Sequence, residues 1–480
     1  MRTTPFSLAV LPLTLSALLL SGCLGGGGGG SNNSGGSDDD VAPPDMTREQ
    51  DERVFAPMVV SVTARAGSSA YVGTYDGLQG EAVYAIEVPD AWDGDGLIMY
   101  THGYRGTGAG LPTSIPRDAW RDAVLAAGYA WASSSYSANY YDVRAGIEDT
   151  NKLALNIVDY LEADHGVRLA EPGQYLISGE SLGGHVAAAA VDRENMERTL
   201  NKVPYAGAMP MCQAEQNQFQ WLGDYPRVMM ELSGYGDADY SDFQDLLPQM
   251  LGTLFNFNGT SPDWLSPRGV AGERLIAVAR NLTGGERPIF EEGFAVDMWQ
   301  GAVLGTGGSE GDIEGILARN GYGNEDQVYR WTSDSEPTGD ELTFNENIPR
   351  VSADEDANLM REDGVRWIPL IQGDFDVPVL TLHTLGDFYV PFRHQQLYRE
   401  GAEENGNEDL LVQRAIRATG HCEFSNQEIT RAMNDWLDWV NDDDKPAGDE
   451  VLDPAAVADA DYGCTFTSPQ RPGLPACGAN

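Results

Sequence analysis

Residues 175–190 read YLISGESLGGHVAAAA. An apolar run meets Gly179-Glu180-Ser181-Leu182-Gly183-Gly184, and an alanine-rich stretch follows without a spacer. The run reads as a buried strand and the alanines as a helix. Ser181 therefore stands at a strand-to-helix reversal with no loop to relax it. Gly179 and Gly183, two residues before and two after, remove Cβ atoms that would collide in so tight a corner, and Gly184 lets the helix pack closely. The helix N-terminus turns unpaired N–H groups toward the same point. A chain spelled this way projects the Ser181 hydroxyl from a sheet edge.

The flanking sequence predicts what that sheet looks like. FAPMVVSVTAR (55–65), AVYAIEV (82–88), GLIMYTHGY (96–104) and YAWASSSY (129–136) read as strands. RDAWRDAVLAAGY and IEDTNKLALNIVDYLEADHG read as helices, and VPYAGAMPMC as the strand after the serine. Strands alternating with helices predict a mostly parallel sheet covered on both faces. The alternation breaks from residue 213 to about 375, where DFQDLLPQMLGTLF, GERLIAVARNL and DIEGILARN read as helical. It resumes with PVLTLHTLGD from 378, a helix near 392–404, LLVQRAIRATGHC and a last helix, NQEITRAMNDWLDWV.

A serine hydroxyl needs a base to act as a nucleophile. Of the six histidines, His421 lies in a loop after the last strand and before the last helix, where a base could reach Ser181. His102 belongs to the THGY loop, His185 to the helix after the serine and His383 to a strand; His165 and His394 read as surface or packing residues. Asp387, just past the tip of LTLHTLGD, is the candidate to orient the base. Asp374 and Asp376 precede that strand and are its rivals. An oxyanion would need two donors, expected from the backbone N–H groups of Leu182 and Tyr104, the latter preferred to Gly103.

The order Ser181, Asp387, His421 with Gly179-Glu180-Ser181-Leu182-Gly183 and His102-Gly103-Tyr104 resembles the α/β-hydrolase superfamily of serine esterases and lipases. The resemblance covers roughly residues 80–210 and 376–440. It implies an α/β-hydrolase fold with a mostly parallel central sheet and a large, mainly helical cap inserted after the strand that follows the serine. Residues 51–212 and 376–445 would then be the two parts of the core and 213–375 the cap. Tannases and feruloyl esterases are similar in carrying a cysteine beside the histidine, here Cys422. They join it to one beside the serine, where this chain has Glu180, so Cys212 would be the substitute partner.

The chain ends add their own expectations. Residues 7–20, SLAVLPLTLSALLL, are too short and too early for a membrane span and read as an export signal over 1–22. Leu20-Ser21-Gly22-Cys23 resembles a bacterial lipobox, which implies a lipid on Cys23. GGGGGGSNNSGGSDDD then reads as a flexible tether over 23–50. Leu24 after the cysteine points by the same resemblance to the outer membrane of a Gram-negative cell. Four cysteines remain, which in an oxidising compartment suggests two disulfides. Cys464 and Cys477 bracket a proline-rich loop in the tail 446–480 and are expected to pair, which leaves Cys212 with Cys422.

Net charge −44 excludes most nucleic-acid roles, because phosphate binding needs clustered bases. Only Lys152, Lys202 and Lys445 are lysines; an acidic, lysine-poor surface suits a saline habitat. GDADYSDFQD and NDDDKPAGDE lack the spacing of a calcium loop, and no zinc pattern occurs, so neither metal nor cofactor is expected. Tyr136, Tyr140, Tyr141, Trp221 and Trp299 are candidates to line an aromatic-tolerant pocket. The expectation is an exported, lipid-anchored hydrolase of small or polymeric esters. A serine peptidase of the same fold is the first alternative and a non-catalytic binding module the second.

Overall fold

The computed structural model describes residues 41–42, 47–309, 315–334 and 336–478. The export signal, Cys23 and the glycine-rich stretch lie outside them. The tether expected to reach residue 50 gives way to packed chain earlier. Arg48 is buried, stacked 3.6 Å above Trp367 and paired with Asp142 at 2.9 Å. Both partners are remote in sequence, so local composition alone reads this segment as solvated.

An eight-stranded sheet carries the site. Its strands are β1 (Ser68–Asp76), β2 (Glu81–Pro89), β3 (Leu97–Thr101), β4 (Ala130–Ser134), β5 (Tyr175–Glu180), β6 (Tyr205–Met211), β7 (Val379–Thr384) and β8 (Leu411–Ile416). In space they run β1-β2-β4-β3-β5-β6-β7-β8. β2 is antiparallel to both β1 and β4, and every other pairing is parallel. Strands β3, β4, β7 and β8 are buried along their whole length, as parallel strands covered on both faces must be.

One expectation near the N-terminal edge needs correction, and one strand there goes unread in the sequence. Of 55–65 only Ala56–Met58 is a strand, and it pairs with Gly110–Pro112 away from the main sheet. The long edge strand is β1, whose SSAYVGTYD is half-buried and carries too few apolar residues to announce itself.

Helices α1 (Asp118–Ala126), α2 (Val143–His165) and α3 (Leu182–Ala189) cover the sheet. After β6 come α4 (Gln218–Leu232), α5 (Phe243–Leu254), α6 (Gly269–Leu282), α7 (Asp297–Leu304) and α8 (Gly339–Asn347). After β7 comes α9 (Arg393–Asn405), and after β8 comes α10 (Asn426–Asp442). One face of the sheet packs on α2, α3 and α9 through Ile147, Ala154, Val186 and Tyr398. The other packs on α1 and α10 through Trp120, Met433 and Trp436.

The segment between β6 and β7 builds a separate aromatic core around Tyr225, Phe243, Phe255 and Phe294, which also takes in Phe388 after β7. It includes a hairpin, Phe255–Asn258 with Ser261–Pro267, between the runs that read as helical, where the sequence reads as a loop. Gly259-Thr260 turns it, with Gly259 at φ 69°. Residues 315–320, inside the expected helix DIEGILARN, form no α-helix; Gly315 at φ 67° departs from helical backbone, and Ile316 and Leu317 are buried in that aromatic core. Among the described residues, no helix is long and apolar enough to cross a membrane.

Candidate active site

β5 ends at Glu180 and α3 begins at Leu182, so Ser181 alone makes the turn, at φ 61° and ψ −123°. That backbone is costly for a residue with a Cβ and persists only where neighbours enforce it. Its N–H donates to Met211 O at 3.0 Å, and its carbonyl accepts from His185 N at 3.0 Å. A Cβ on Gly179 would overlap Thr101 Oγ1 and Gly183 O, and one on Gly183 would overlap Thr101 O. On Gly184 it would stand 2.7 Å from Met211 O. The glycines thus answer close contacts with β3 and with the end of β6.

His421 Nε2 lies 2.7 Å from Ser181 Oγ, and its Nδ1 lies 2.6 Å from Asp387 Oδ2. A carboxylate accepts only, so Nδ1 carries the proton and Nε2 offers its lone pair to the serine hydroxyl. Asp387 is buried, and its other oxygen accepts from Tyr389 N at 3.1 Å and Val390 N at 2.9 Å. The rival Asp374 instead pairs with Arg193.

The loop holding His421 is fastened on several sides. Gly386 N donates to Ala418 O and Thr384 Oγ1 donates to Gly420 O at 2.8 Å, both from the β7 end. A disulfide joins Cys422 to Cys212 at the tip of β6, with 5.4 Å between the Cα atoms. Behind the loop, Ser425 and Glu428 cap α10 reciprocally, and Arg471 from the tail holds Glu428 at 2.8 Å. A second disulfide, Cys464–Cys477, closes that tail.

The other histidines stay apart from the serine. His102 stacks on Tyr136 at 4.0 Å, and burial with Arg105 nearby lowers its pKa to about 3. Burial likewise lowers His185 and His383 to about 4. His394 is buried, with its Nε2 2.8 Å from Gln218 Oε1, not a surface residue. All four are neutral parts of the framework. His165 is exposed and meets Val72 O at 3.0 Å.

A narrow pocket of about 50 Å³ opens on Ser181, with Tyr104, Tyr141, Phe219, Leu222, Tyr389 and Val390 among its walls. Trp299 stacks on Tyr389, and both present their faces or edges to the His421 ring at 5.8 and 5.6 Å. Of the aromatic candidates, Tyr141 lines this pocket and Trp299 stands beside the histidine. Tyr136 lies beneath the His102 loop and Tyr140 reaches Glu49. Trp221 is turned to a separate cavity with Asn217 and Asp224. Sequence reading missed the roles of Thr101 and Arg117, described below, and of Gln218, which lines this pocket and donates to Tyr389 O at 2.7 Å; their partners are remote in sequence. Among the described residues, the cluster of metal-ligating side chains is Cys212, His421 and Cys422, and both its sulfurs are spent in the disulfide.

The strand order, with a strained serine between β5 and α3, an aspartate after β7 and a histidine after β8, gives this chain the α/β-hydrolase fold. No family model matches it. An o-phthalyl amidase from Xanthobacter agilis is 24% identical over 431 residues, which cover 78% of this chain and 89% of that protein. Among solved structures, feruloyl esterase B from Aspergillus oryzae is 11% identical with TM-score 0.41, covering 81% of this chain and 90% of its own. The rice cell wall degrading esterase LipA from Xanthomonas oryzae, in a ligand-bound form, is 16% identical with TM-score 0.38, covering 77% and 90%. An acylaminoacyl peptidase from Pyrococcus horikoshii is 11% identical with TM-score 0.39 over 82% of this chain; the match spans 44% of that longer chain.

Proposed function

We propose that this protein is a serine hydrolase of carboxylic esters with an aromatic acyl group, acting through an acyl-enzyme. The observation that carries the reading is the unbroken hydrogen-bonded line from Ser181 Oγ through His421 to the buried Asp387. Ser181 attacks the ester carbonyl while His421 Nε2 takes its proton. Asp387 holds the tautomer that leaves Nε2 free and stabilises the imidazolium. His421 then protonates the leaving alcohol, and water deacylates the serine by the same steps in reverse.

Leu182 opens α3, so its N–H is among those a helix leaves unpaired. With the N–H of Tyr104 it would receive the oxyanion; each such donor is worth roughly 3–4 kcal/mol. Rings and aliphatic side chains dominate the pocket, beside Gln218 and Thr306, and among the described residues no Lys or Arg lines it. With net charge −44 around it, a neutral aromatic acyl group suits this site better than an anionic one.

Amide hydrolysis by the same residues is the second reading, favoured by the amidase among its relatives. The test is turnover of benzoyl, phthalyl, acetyl and longer-chain p-nitrophenyl esters beside the matching anilides, for wild type and Ser181→Ala. Benzoyl ester turnover that falls on the order of a million-fold in the variant supports the first reading. Faster turnover of phthalyl anilides supports the second, and turnover that survives the substitution overturns both.

The proposal includes work outside the cytoplasm on a lipid-bearing Cys23, a reading supported by the two disulfides. Mass spectrometry of the mature N-terminus tests it: a diacylglyceryl cysteine is expected, and an unmodified one overturns the anchor.

A further inference from the structure

Glu180 occupies the position before the serine, and its side chain does not point idly to solvent. Its Oε2 lies 2.6 Å from Nη2 of Arg117, the residue that precedes α1. The same guanidinium faces the other way as well: Nη2 donates to the carbonyl of Cys422 at 3.3 Å, and Nη1 donates to that of Phe424 at 3.4 Å. Cys422 is the neighbour of His421. One planar cation thus touches the residue beside the nucleophile and two carbonyls of the loop that carries the base.

We infer that Arg117 is a positioning residue, an ionic clasp that fixes the His421 loop to the serine turn in parallel with the Cys212–Cys422 disulfide. The inference rests on the serine-hydrolase reading above. Two links reach this loop from the serine side, and they have different chemistry. The disulfide ties it to the residue after β6, next to Met211, whose carbonyl accepts from Ser181 N. The guanidinium ties it to Glu180 itself.

The backbone of Cys422 stands at φ 54° and that of Cys212 at φ 42°. Non-glycine residues hold such angles only where their surroundings over-determine them. A loop under that constraint relaxes when its fasteners go. The contacts from Thr384, Gly386 and Arg471 do not prevent this on the serine side, because they hold the loop to β7 and to the tail. Guanidinium rather than ammonium is required: a planar fork can bond a carboxylate and two carbonyls at once, whereas a lysine offers a single point of charge.

The test is a cycle of variants: Arg117→Met, the pair Cys212→Ser with Cys422→Ser, and all three together. The readouts are the rate of fluorophosphonate labelling of Ser181 and hydrogen exchange over residues 417–425. Each break alone should slow labelling by less than about tenfold, because the other fastener remains. Together they should slow it by about tenfold or more beyond the product of the two, the signature of coupled groups. Exchange in the loop should rise in step. Arg117→Lys should regain the thermal stability lost in Arg117→Met without regaining the labelling rate in the background that lacks the Cys212–Cys422 disulfide. A combined loss equal to the product, or a loop that stays protected in the triple variant, overturns the clasp. If wild-type Ser181 does not label at all, the serine-hydrolase reading fails on its own. The exchange data then still decide whether Arg117 and the disulfide hold the loop jointly.

Discussion

Thr101 Oγ1 donates to the carbonyl of Gly183 at 2.6 Å, across the gap between the end of β3 and the first turn of α3. Both residues are fully or nearly buried, and Thr101 leads directly into His102-Gly103-Tyr104. The bond therefore ties the loop that would supply one oxyanion donor to the helix that would supply the other. Thr101→Val keeps the shape and leaves the Gly183 carbonyl without this donor. Losing one such buried hydrogen bond costs about 0.5–1.5 kcal/mol. The expected outcome is a lower melting temperature together with a lower kcat at nearly unchanged KM, since the oxyanion contact forms mainly in the transition state. Unchanged kcat would remove Thr101 from the positioning of the donors.

Asp387→Asn separates charge from geometry. Asn can still accept from Tyr389 N and Val390 N through its oxygen, the bonds that Asp387 Oδ1 makes. Its amide N–H₂ then faces His421 Nδ1, which favours the tautomer with the proton on Nε2, where it cannot accept from Ser181. Turnover should fall on the order of 10⁴-fold, as the corresponding change does in other enzymes with this trio, while the fold persists. Circular dichroism and kcat at neutral pH check this. A loss of less than tenfold would move the orienting role to another carboxylate.

Much of this site is legible in the sequence because its parts are local spellings. Ser181 needs glycines at fixed offsets, and Asp387 and His421 follow strands whose apolar runs are unmistakable. Thr101 and Arg117 are not legible in the same way. Each acts through a residue some 60 or more positions away or more, and only the sheet order brings the partners together. The edge strand β1 is poorly marked because an edge needs apolar residues for one face only. The hairpin turned by Gly259-Thr260 is hard to read for another reason: a single glycine marks it, and its strands are short and mostly exposed.

Asp192, away from the serine, subtracts from stability as the solution is made less acidic, against the opposite trend of the four buried neutral histidines, which take up protons near pH 6.5 only when unfolded. Asp192 Oδ2 accepts from Gln372 N at 2.7 Å, where the chain returns toward β7, while Oδ1 is buried without a hydrogen-bond partner. Burial, reinforced by Asp374 and Glu194, raises its pKa to about 7. The folded state thus holds a proton that the unfolded chain releases near pH 4. This contribution is fully present below the unfolded value and lost as pH rises through about 7. Asp149, Asp224 and Asp449, raised by burial to about 6, add the same sign at lower pH. From pH 6 to 7 the Asp192 term amounts to about 1 kcal/mol. Urea unfolding across that interval should show a change of stability with pH that is more positive in Asp192→Asn than in wild type by about that amount. Equal slopes would mean that Asp192 is ionised in the fold.

The tail disulfide should matter to stability and not to chemistry. Cys464 and Cys477 close a short loop, with a sequence separation of 13. The tail they tie off surrounds Arg417, whose guanidinium donates to Ala460 O and Tyr462 O at 2.9 Å each and to Pro475 O at 2.9 Å. Arg417 follows β8 and leads into the His421 loop, but no tail residue lines the pocket at Ser181. A cross-link of this span contributes about 3 kcal/mol, chiefly by restricting the unfolded chain. Cys464→Ser with Cys477→Ser should therefore lower the unfolding free energy by that amount, read from a lower denaturation midpoint at unchanged slope, while kcat at 25 °C stays within about twofold. A large fall in kcat with the stability unchanged would show that the tail positions His421 through Arg417 and Arg471.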